Sequence, residues 1–223
     1  MLPVIAIDGP AASGKSSTGA LVARELGWVH LDTGALYRGL TRVALDLGTL
    51  ADAGAILAAA TRRHLGLARQ GDEVITVLDG AAAEARIRTS QVTAAVSEVS
   101  ALPELRQWAT ERFRETARGG TALVLDGRDI GTAVFPDAPL KIFLTATPEA
   151  RARRRLRQAG LPDDDGAVTR EAAALAARDR ADSLRPVAPL VRAPDAIEVD
   201  TTRLSLAGQV DRIVGLARLA GLS

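Results

Sequence analysis

Val4-Ile5-Ala6-Ile7-Asp8-Gly9-Pro10-Ala11-Ala12-Ser13-Gly14-Lys15-Ser16-Ser17 decides the fold. Val4 to Asp8 is a short β-branched run that stops at a Gly-Pro turn, and Lys15 to Leu26 follows in a helical pattern that Gly27 can end. Between them, Gly9 to Ser16 matches Gly-x4-Gly-Lys-Ser/Thr in the strand, loop, helix setting that this motif requires. Such a loop turns its backbone N–H groups and the positive end of the helix dipole toward one point, where phosphate oxygens can sit. Gly9, Pro10, Ala11, Ala12, Ser13, Gly14, Lys15, Ser16 and Ser17 are therefore expected to hold a nucleoside triphosphate. Lys15 would reach its β- and γ-phosphates, and the Ser16 hydroxyl would ligate Mg²⁺.

Outward from this loop the strand and helix signals alternate. Trp28 to Asp32 reads as a strand and Thr33 to Leu47 as a helix with Leu36, Leu40, Val43, Ala44 and Leu47 on one face. Thr121 to Asp126 and Leu140 to Ala146 are near-continuous apolar runs, as strands covered on both faces should be. Thr147 can cap a helix with Pro148 in its first turn, running over Glu149 to Gln158 and ending near Gly160. Ala196 to Asp200 is a last strand before a helix marked by Leu206, Val210, Ile213, Val214 and Ala217. The pattern predicts an α/β fold, a doubly wound parallel sheet around a P-loop.

Gly34 to Gly120 is too long for a simple crossover and predicts an α+β insertion. Within it Glu73 to Leu78 alternates as a strand, Asp79-Gly80 turns, and Arg86-Ile87-Arg88 is expected to return as a second strand. Ser90 to Leu102 and Pro103 to Arg118 read as helices separated by Pro103, with Gly119-Gly120 as a stop. The expected division is a core of about 1–33, 121–150 and 186–223, an insertion of about 34–120 and a short lid of about 151–185.

Composition removes several function classes. The 223 residues carry 28 Lys and Arg against 27 Asp and Glu, a formal net charge of +1, so no global field points to nucleic acid or a membrane surface. There is no cysteine, which excludes a disulfide scaffold, a thiol nucleophile and a Cys-based metal site. Only His30 and His64 could supply imidazole, and no Gly-x-Ser-x-Gly elbow is present, so a catalytic triad is not expected. His30, within a strand, reads as a packed structural residue. The first residues lack a basic segment and form too short an apolar run for a signal peptide or membrane helix, so a cytoplasmic enzyme is expected, and the lack of a long apolar repeat favours a monomer.

An Asn-Lys-x-Asp base-reading motif is missing, which weighs against a guanine-nucleotide switch. Arg38, Arg106, Arg128, Arg178 and Arg185 are instead dispersed along the chain, with Arg151, Arg153, Arg154, Arg155 and Arg157 on one helix. Guanidinium forks spread in this way suit two phosphorylated substrates facing each other. The competing class, a nucleotide-dependent switch with no small-molecule acceptor, leaves these arginines and Asp182 without a task.

Three further stretches carry a resemblance. Leu31-Asp32-Thr33-Gly34-Ala35-Leu36-Tyr37-Arg38, Asp126-Gly127-Arg128-Asp129-Ile130-Gly131-Thr132, and Arg178-Asp179-Arg180-Ala181-Asp182 leading to Arg185-Pro186-Val187-Ala188-Pro189-Leu190 resemble bacterial cytidylate kinases over nearly the whole chain. The resemblance implies ATP-dependent phosphorylation of CMP, and of dCMP, with Mg²⁺, and makes a kinase for UMP, AMP or dTMP the nearer alternative. It implies that Thr33, Tyr37, Arg38, Arg128 and Arg185 surround the CMP phosphate or the transfer path. Ser97, Arg106 and Asp129 match its cytosine-reading positions, and Arg178 and Asp182 its ribose-contacting ones. Arg178 and Asp182 can also pair as an i,i+4 couple on a helix. Asp126, at the end of a buried strand, is implied as the magnesium-associated acid, through water. Arg153 and Arg157, one i,i+4 row of the lid, are expected to add catalytic charge together with Lys15, Arg128 and Arg185. No general base is required, because a phosphate acceptor is already largely ionised at neutral pH.

Overall fold

The computed structural model describes residues 3–118 and 120–222; Met1 and Leu2 of the opening run and the helix stop expected at Gly119 lie outside the described residues. The central strand is β1 (Val4–Asp8), every residue of which is buried. It pairs in parallel with β6 (Leu123–Asp126) on one side and β7 (Leu140–Thr145) on the other. Beyond β6 lies β2 (Val29–Asp32), and beyond β7 lies β8 (Ile197–Asp200), both parallel. The sheet thus grows in both directions from β1, and the crevice at its carboxyl end is where a doubly wound sheet binds ligands.

The period-2 alternation of β1 explains why the sheet needs helices on both faces. Ile5 and Ile7 join Val124, Ile142 and Leu144 under α1 (Lys15–Leu26) and α9 (Leu206–Leu219), whose Val210, Ile213, Val214 and Ala217 form the buried stripe. Val4 and Ala6 face the other way, with Leu123 and Leu125, beneath α2 (Thr33–Leu47) and α6 (Pro103–Arg118). Leu206 and Leu47, expected on the apolar stripes, are exposed because each stands on a terminal turn of its helix.

The insertion does not hang off the sheet but extends it. After α3 (Ala53–Arg62), β3 (Gly66–Gln70) pairs antiparallel with β4 (Glu73–Leu78), and β4 pairs in parallel with β2 through His30 opposite Glu73 and Leu31 opposite Val74. Two expectations are corrected here. The strand β3 was not anticipated, and Arg86-Ile87-Arg88 is not the returning strand. The return is the two-residue β5 (Ala81–Ala82), after which Glu84–Ile87 winds into one helical turn, α4, that buries Ile87. Thr89 then accepts from the Val92 N–H and starts α5 (Ser90–Val99), which Pro103 separates from α6. Beyond β7, α7 (Pro148–Gln158) and α8 (Asp165–Ser183) form a helical pair. Thr147 accepts from the Ala150 N–H at 3.3 Å, the cap expected from the Thr-Pro pair.

Insertion and core share one hydrophobic cluster. Phe113 of α6 is fully buried with Ile56 of α3, Leu78 of β4 and Leu123 of β6, and it meets the Tyr37 ring edge-on at 6.0 Å. A shared core predicts a single cooperative unfolding transition. Phe113→Ala should lower stability by about 3–5 kcal/mol and move the urea transitions followed by circular dichroism and by tryptophan fluorescence together. Trp28 beside α1 and Trp108 on α6 report the two parts, so a split between the two signals would show that the insertion unfolds alone.

Candidate active site

The loop from Gly9 to Gly14 runs over the carboxyl end of the sheet at β1. Gly9, at φ 147°, passes so close to β7 that a Cβ there would lie 2.2 Å from the Leu144 carbonyl oxygen, and Gly14 enters α1 at φ 98°. Ala12 also adopts a positive φ of 58°, a conformation that an L-residue holds only when its surroundings enforce it. Lys15 is buried, with Nζ donating to the Pro10 carbonyl at 2.6 Å and lying 3.3 Å from Ser13 Oγ. Burial and the neighbouring Arg128 hold its ammonium well below the usual lysine range.

Behind the loop Ser16 Oγ donates to Asp126 Oδ2 at 2.6 Å, while Asp126 Oδ1 lies 2.8 Å from His30 Nε2. His30, expected only to pack, therefore braces the carboxylate. Burial lowers its pKa, but the Asp126 hydrogen bond and charge outweigh this and the net shift is upward. Thr33 Oγ1 donates to the Asp126 carbonyl at 2.7 Å, so all three ties converge on the end of β6. A serine hydroxyl beside a fixed carboxylate is a hard-oxygen pair of the kind Mg²⁺ uses when phosphates fill the rest of its shell, and these residues fit that ion.

Sequence reasoning missed Asp8 altogether. Its two carboxylate oxygens accept from the Ile130 and Gly131 N–H groups, each at 2.8 Å. They hold the π-helical turn Ile130–Val134 that follows Arg128 and Asp129. Burial raises its pKa to about 6 against those two bonds. The signal available was its place at the end of the central strand, but nothing in the sequence joins that position to a turn more than a hundred residues away.

A cleft of about 640 Å³ opens beside the loop, between α2, α5 and α6 on one side and α7 and α8 on the other. It brings together the P-loop residues Ala11, Ala12, Gly14, Lys15, Ser16 and Ser17 and the distant positions Thr33, Tyr37, Arg38, Ser97, Arg106, Arg128, Asp129, Arg178, Asp182 and Arg185. Lys15, Arg38, Arg178 and Arg185 share one electrostatic condition. Each has its pKa lowered first by burial and next by a neighbouring guanidinium, and Arg38 falls to about 10. Buried cations this close to other guanidinium groups make a site that an entering polyanion would relieve.

The carboxylates arrange these cations. Asp182 Oδ2 accepts from Arg128 Nε at 2.9 Å, and its other oxygen lies 4.0 Å from Arg185. The i,i+4 pair that Asp182 and Arg178 could make is not formed, and Asp182 accepts from Arg128 instead; among the described residues Arg178 makes no carboxylate pair, and its buried Nε has no partner. Arg106 pairs with Asp129, donates to the Ser100 carbonyl at 3.0 Å and lies 5.0 Å above the Tyr37 ring. Ser97 and Arg106, on helices separated at Pro103, line the same cleft as Asp129. Among the described residues the buried Tyr37 hydroxyl has no hydrogen-bond partner. Arg88 of the insertion, bonded to Asp32 at 2.7 Å and to Glu84, also lines the cleft and was missed as a site residue because its stretch read as a strand.

Arg153 and Arg157, expected to add catalytic charge, stand outside the cleft. Arg153 bonds the Asp163 carbonyl at 2.7 Å and Asp165 at 2.9 Å, and Arg157 bonds Asp163 at 2.8 Å; neither lines the cleft. Arg155 does. Two residues of helix turn a side chain by about 200°, so the row Arg153/Arg157 faces the loop that closes α7 onto α8, while Arg155 lines the cleft with Ser97 and Arg178. Arg154 lies between them, donating to Thr201 Oγ1 at 2.9 Å.

A parallel sheet with a Gly-x4-Gly-Lys-Ser loop at its switch point and a cationic cleft across from that loop defines a P-loop nucleotide-binding kinase. A family model described as cytidylate kinase matches residues 5–219. The chain is 44% identical over 216 residues to a cytidylate kinase of Stutzerimonas stutzeri (strain A1501), covering 96% of this chain and 94% of that protein. It is 46% identical over 219 residues to one of Mycobacterium avium (strain 104), covering 96% and 95%. A solved gluconokinase from Sinorhizobium meliloti 1021 superposes with a TM-score of 0.49 at 17% identity, over 99% of this chain and 95% of that one. The chain belongs to the cytidylate kinase family, whose members are nucleoside monophosphate kinases. Among the described residues no helix is long and apolar enough to cross a membrane.

Two expectations follow from this geometry. Because the folded pKa of Asp8 is raised from 3.8 to about 6, the folded chain binds a proton there that the unfolded chain has released. Its contribution to stability is fully present below pH 4 and is lost as pH rises through 6. The stability of the wild type minus that of Asp8→Asn, from urea titrations at each pH, should fall by on the order of 2 kcal/mol across this window and stay level above pH 7. In steady-state assays Arg155→Ala should lower turnover roughly tenfold or more, whereas Arg153→Ala and Arg157→Ala should each change it less than about twofold.

Proposed function

We propose that the chain transfers the γ-phosphoryl group of ATP to the phosphate of CMP, and of dCMP, giving ADP and the pyrimidine nucleoside diphosphate. The observation that carries this reading is the gathering of Lys15, Arg38, Arg128, Arg178 and Arg185 in one cleft, with the P-loop beside them and Ser97, Arg106 and Asp129 in the same lining. A cleft of this charge asks for two phosphorylated ligands, and its lining offers a base a hydroxyl, a guanidinium and a carboxylate.

Amides of Gly9 to Ser17 and Lys15 would hold the triphosphate of ATP. Ser16, with Asp126 behind it, would hold Mg²⁺, which would supply positive charge to offset that of the phosphates. Thr33, Tyr37, Arg38, Arg128 and Arg185 would take the phosphate of CMP, so that one of its oxygens faces the γ-phosphorus in line with the bond to ADP. As that oxygen bonds to phosphorus and the bond to the ADP oxygen breaks, negative charge spreads over the equatorial oxygens. Lys15, Arg128, Arg185 and Arg155 are placed to stabilise it. No proton need be removed, which fits a site whose imidazole, His30, is engaged with Asp126.

Cytosine presents an exocyclic amine that a carboxylate can accept from, where uracil presents a carbonyl that it repels. The Asp129 and Arg106 pair with Ser97 beside it therefore favours CMP over UMP. Arg178 and Asp182 would meet the ribose. In this reading residues 34–120 form the monophosphate-binding part and residues 151–185 a lid whose closure excludes water, so that phosphate passes to CMP and not to hydroxide.

The test is Mg²⁺-dependent ADP release from ATP with CMP, dCMP, UMP and AMP in turn, using Lys15→Ala as the blank. CMP should give the highest kcat/KM, chelation of the metal should abolish turnover, and Arg106→Ala should raise KM for CMP roughly tenfold while affecting UMP less. ADP release that CMP fails to stimulate would refute the proposal, and equal losses for CMP and UMP in Arg106→Ala would remove Arg106 from base reading.

A further inference from the structure

One of the ties that hold the P-loop from outside is made at Ala11, and it comes from the helical pair. Ala11 is buried, and both of its backbone polar groups are bonded to the same ion pair. Its N–H donates to Asp179 Oδ1 of α8 at 2.8 Å, and its carbonyl accepts from Arg151 Nη1 of α7 at 3.0 Å. Arg151 also pairs with Asp179 Oδ2, which closes the triangle. The Ala11 methyl group completes the contact by packing against Ala152, Leu156, Val168 and Leu175 of the two helices.

Asp179 does not line the cleft, so it has no direct claim on either nucleotide. Its neighbours on the helix do. Arg178 precedes it and Asp182, which holds Arg128, follows within one turn; both line the cleft. On the other side of the bond, Ala12 next to Ala11 carries the positive φ of 58° on which the course of the loop depends. An amide bonded to a carboxylate is withdrawn from phosphate binding and becomes an anchor, leaving the amides further along the loop to converge on the ligand.

We infer that Asp179 is a positioning residue: by bonding the Ala11 amide and Arg151 together it sets the P-loop and the rotation of α8 at once, so that the donor and acceptor sites are aligned by one carboxylate. This rests on the phosphotransfer reading above for the identity of the acceptor. A purely structural carboxylate would, when removed, lower stability and leave the affinities of the molecules that still fold unchanged. A positioning carboxylate lowers affinity at both ends of the cleft, although it touches neither ligand.

The experiment measures binding of a non-hydrolysable ATP analogue with Mg²⁺, and of CMP, by calorimetry on the wild type, Asp179→Ala and Asp179→Asn, with the thermal midpoint of each. Asp179→Ala should weaken both nucleotides roughly tenfold or more and lower kcat. Asp179→Asn, which keeps a carbonyl oxygen for the Ala11 N–H but loses the negative charge that pairs with Arg151, should recover part of both losses. Asp179→Ala that folds and binds both nucleotides as the wild type does, or that loses affinity for only one, overturns the inference. If Asp179→Ala fails to fold, Asp179→Asn decides alone: wild-type affinity for both refutes the inference, and a loss of a few-fold in each supports it. Wild-type protein that binds both nucleotides but transfers no phosphate would sink the phosphotransfer reading and leave the binding arms to judge Asp179.

Discussion

Bringing many buried cations into one cleft is the constraint that shapes this molecule. Each guanidinium removed from water loses hydration, and each neighbour of like sign raises the penalty further. Lys15, Arg38, Arg178 and Arg185 are all pushed downward in pKa, first by burial and then by a neighbouring guanidinium. A chain can hold such a cluster only if the groups are fixed by something stiff. Here that is the carboxyl end of a parallel sheet covered on both faces, with β1 and β6 side by side at the point where the strand order turns.

The carboxylates in and around the cleft act as struts. Asp126 is held by His30 and Ser16, Asp8 holds the turn after Asp129, Asp129 holds Arg106, and Asp182 holds Arg128. Each uses a charged hydrogen bond, the kind that loses most when one partner is removed. They also partly neutralise the cleft without filling it, which leaves Arg178 and Lys15 free of carboxylate partners at hydrogen-bond distance among the described residues. That residual positive charge is what the site offers an anion. His30 is able to reach Asp126 because Gly19 on α1 has no side chain: a Cβ there would stand 3.0 Å from the imidazole Nε2.

Sequence and structure agree where the signal is local. The loop motif, the apolar runs of β1, β6 and β7, the Thr147-Pro148 start of α7 and the Pro103 break between α5 and α6 each need only neighbouring residues to be read. What was not legible depends on pairing across the chain. Gly66 to Gln70 is a poor strand by its own composition and exists because β4 offers it an edge. Arg86-Ile87-Arg88 alternates as a strand would, yet the buried Ile87 is satisfied equally by one helical turn. Asp8 and His30 became legible only when the sheet order placed β1 and β2 on either side of β6. The motif residues of the resemblance do share one cleft, but the resemblance could not say which arginines on α7 face it.

That last point follows from helix geometry and from where negative charge falls. The residues after α7 carry Asp163, Asp164 and Asp165 in succession, and they fold back along the helix. Arginines on the side they meet are drawn into pairs, as Arg153 and Arg157 are, and their charge is spent on closing α7 against α8. Arg151 and Arg155, four apart, share the other side. There Arg151 is drawn into the P-loop by Asp179, and Arg155, one turn further out, is left facing the cleft. A single helix thus divides its arginines by their angle into those that hold α7 against the segment leading to α8 and those that face the P-loop or the cleft. The division is set by the position of the aspartates on the neighbouring segments and not by the number of arginines present.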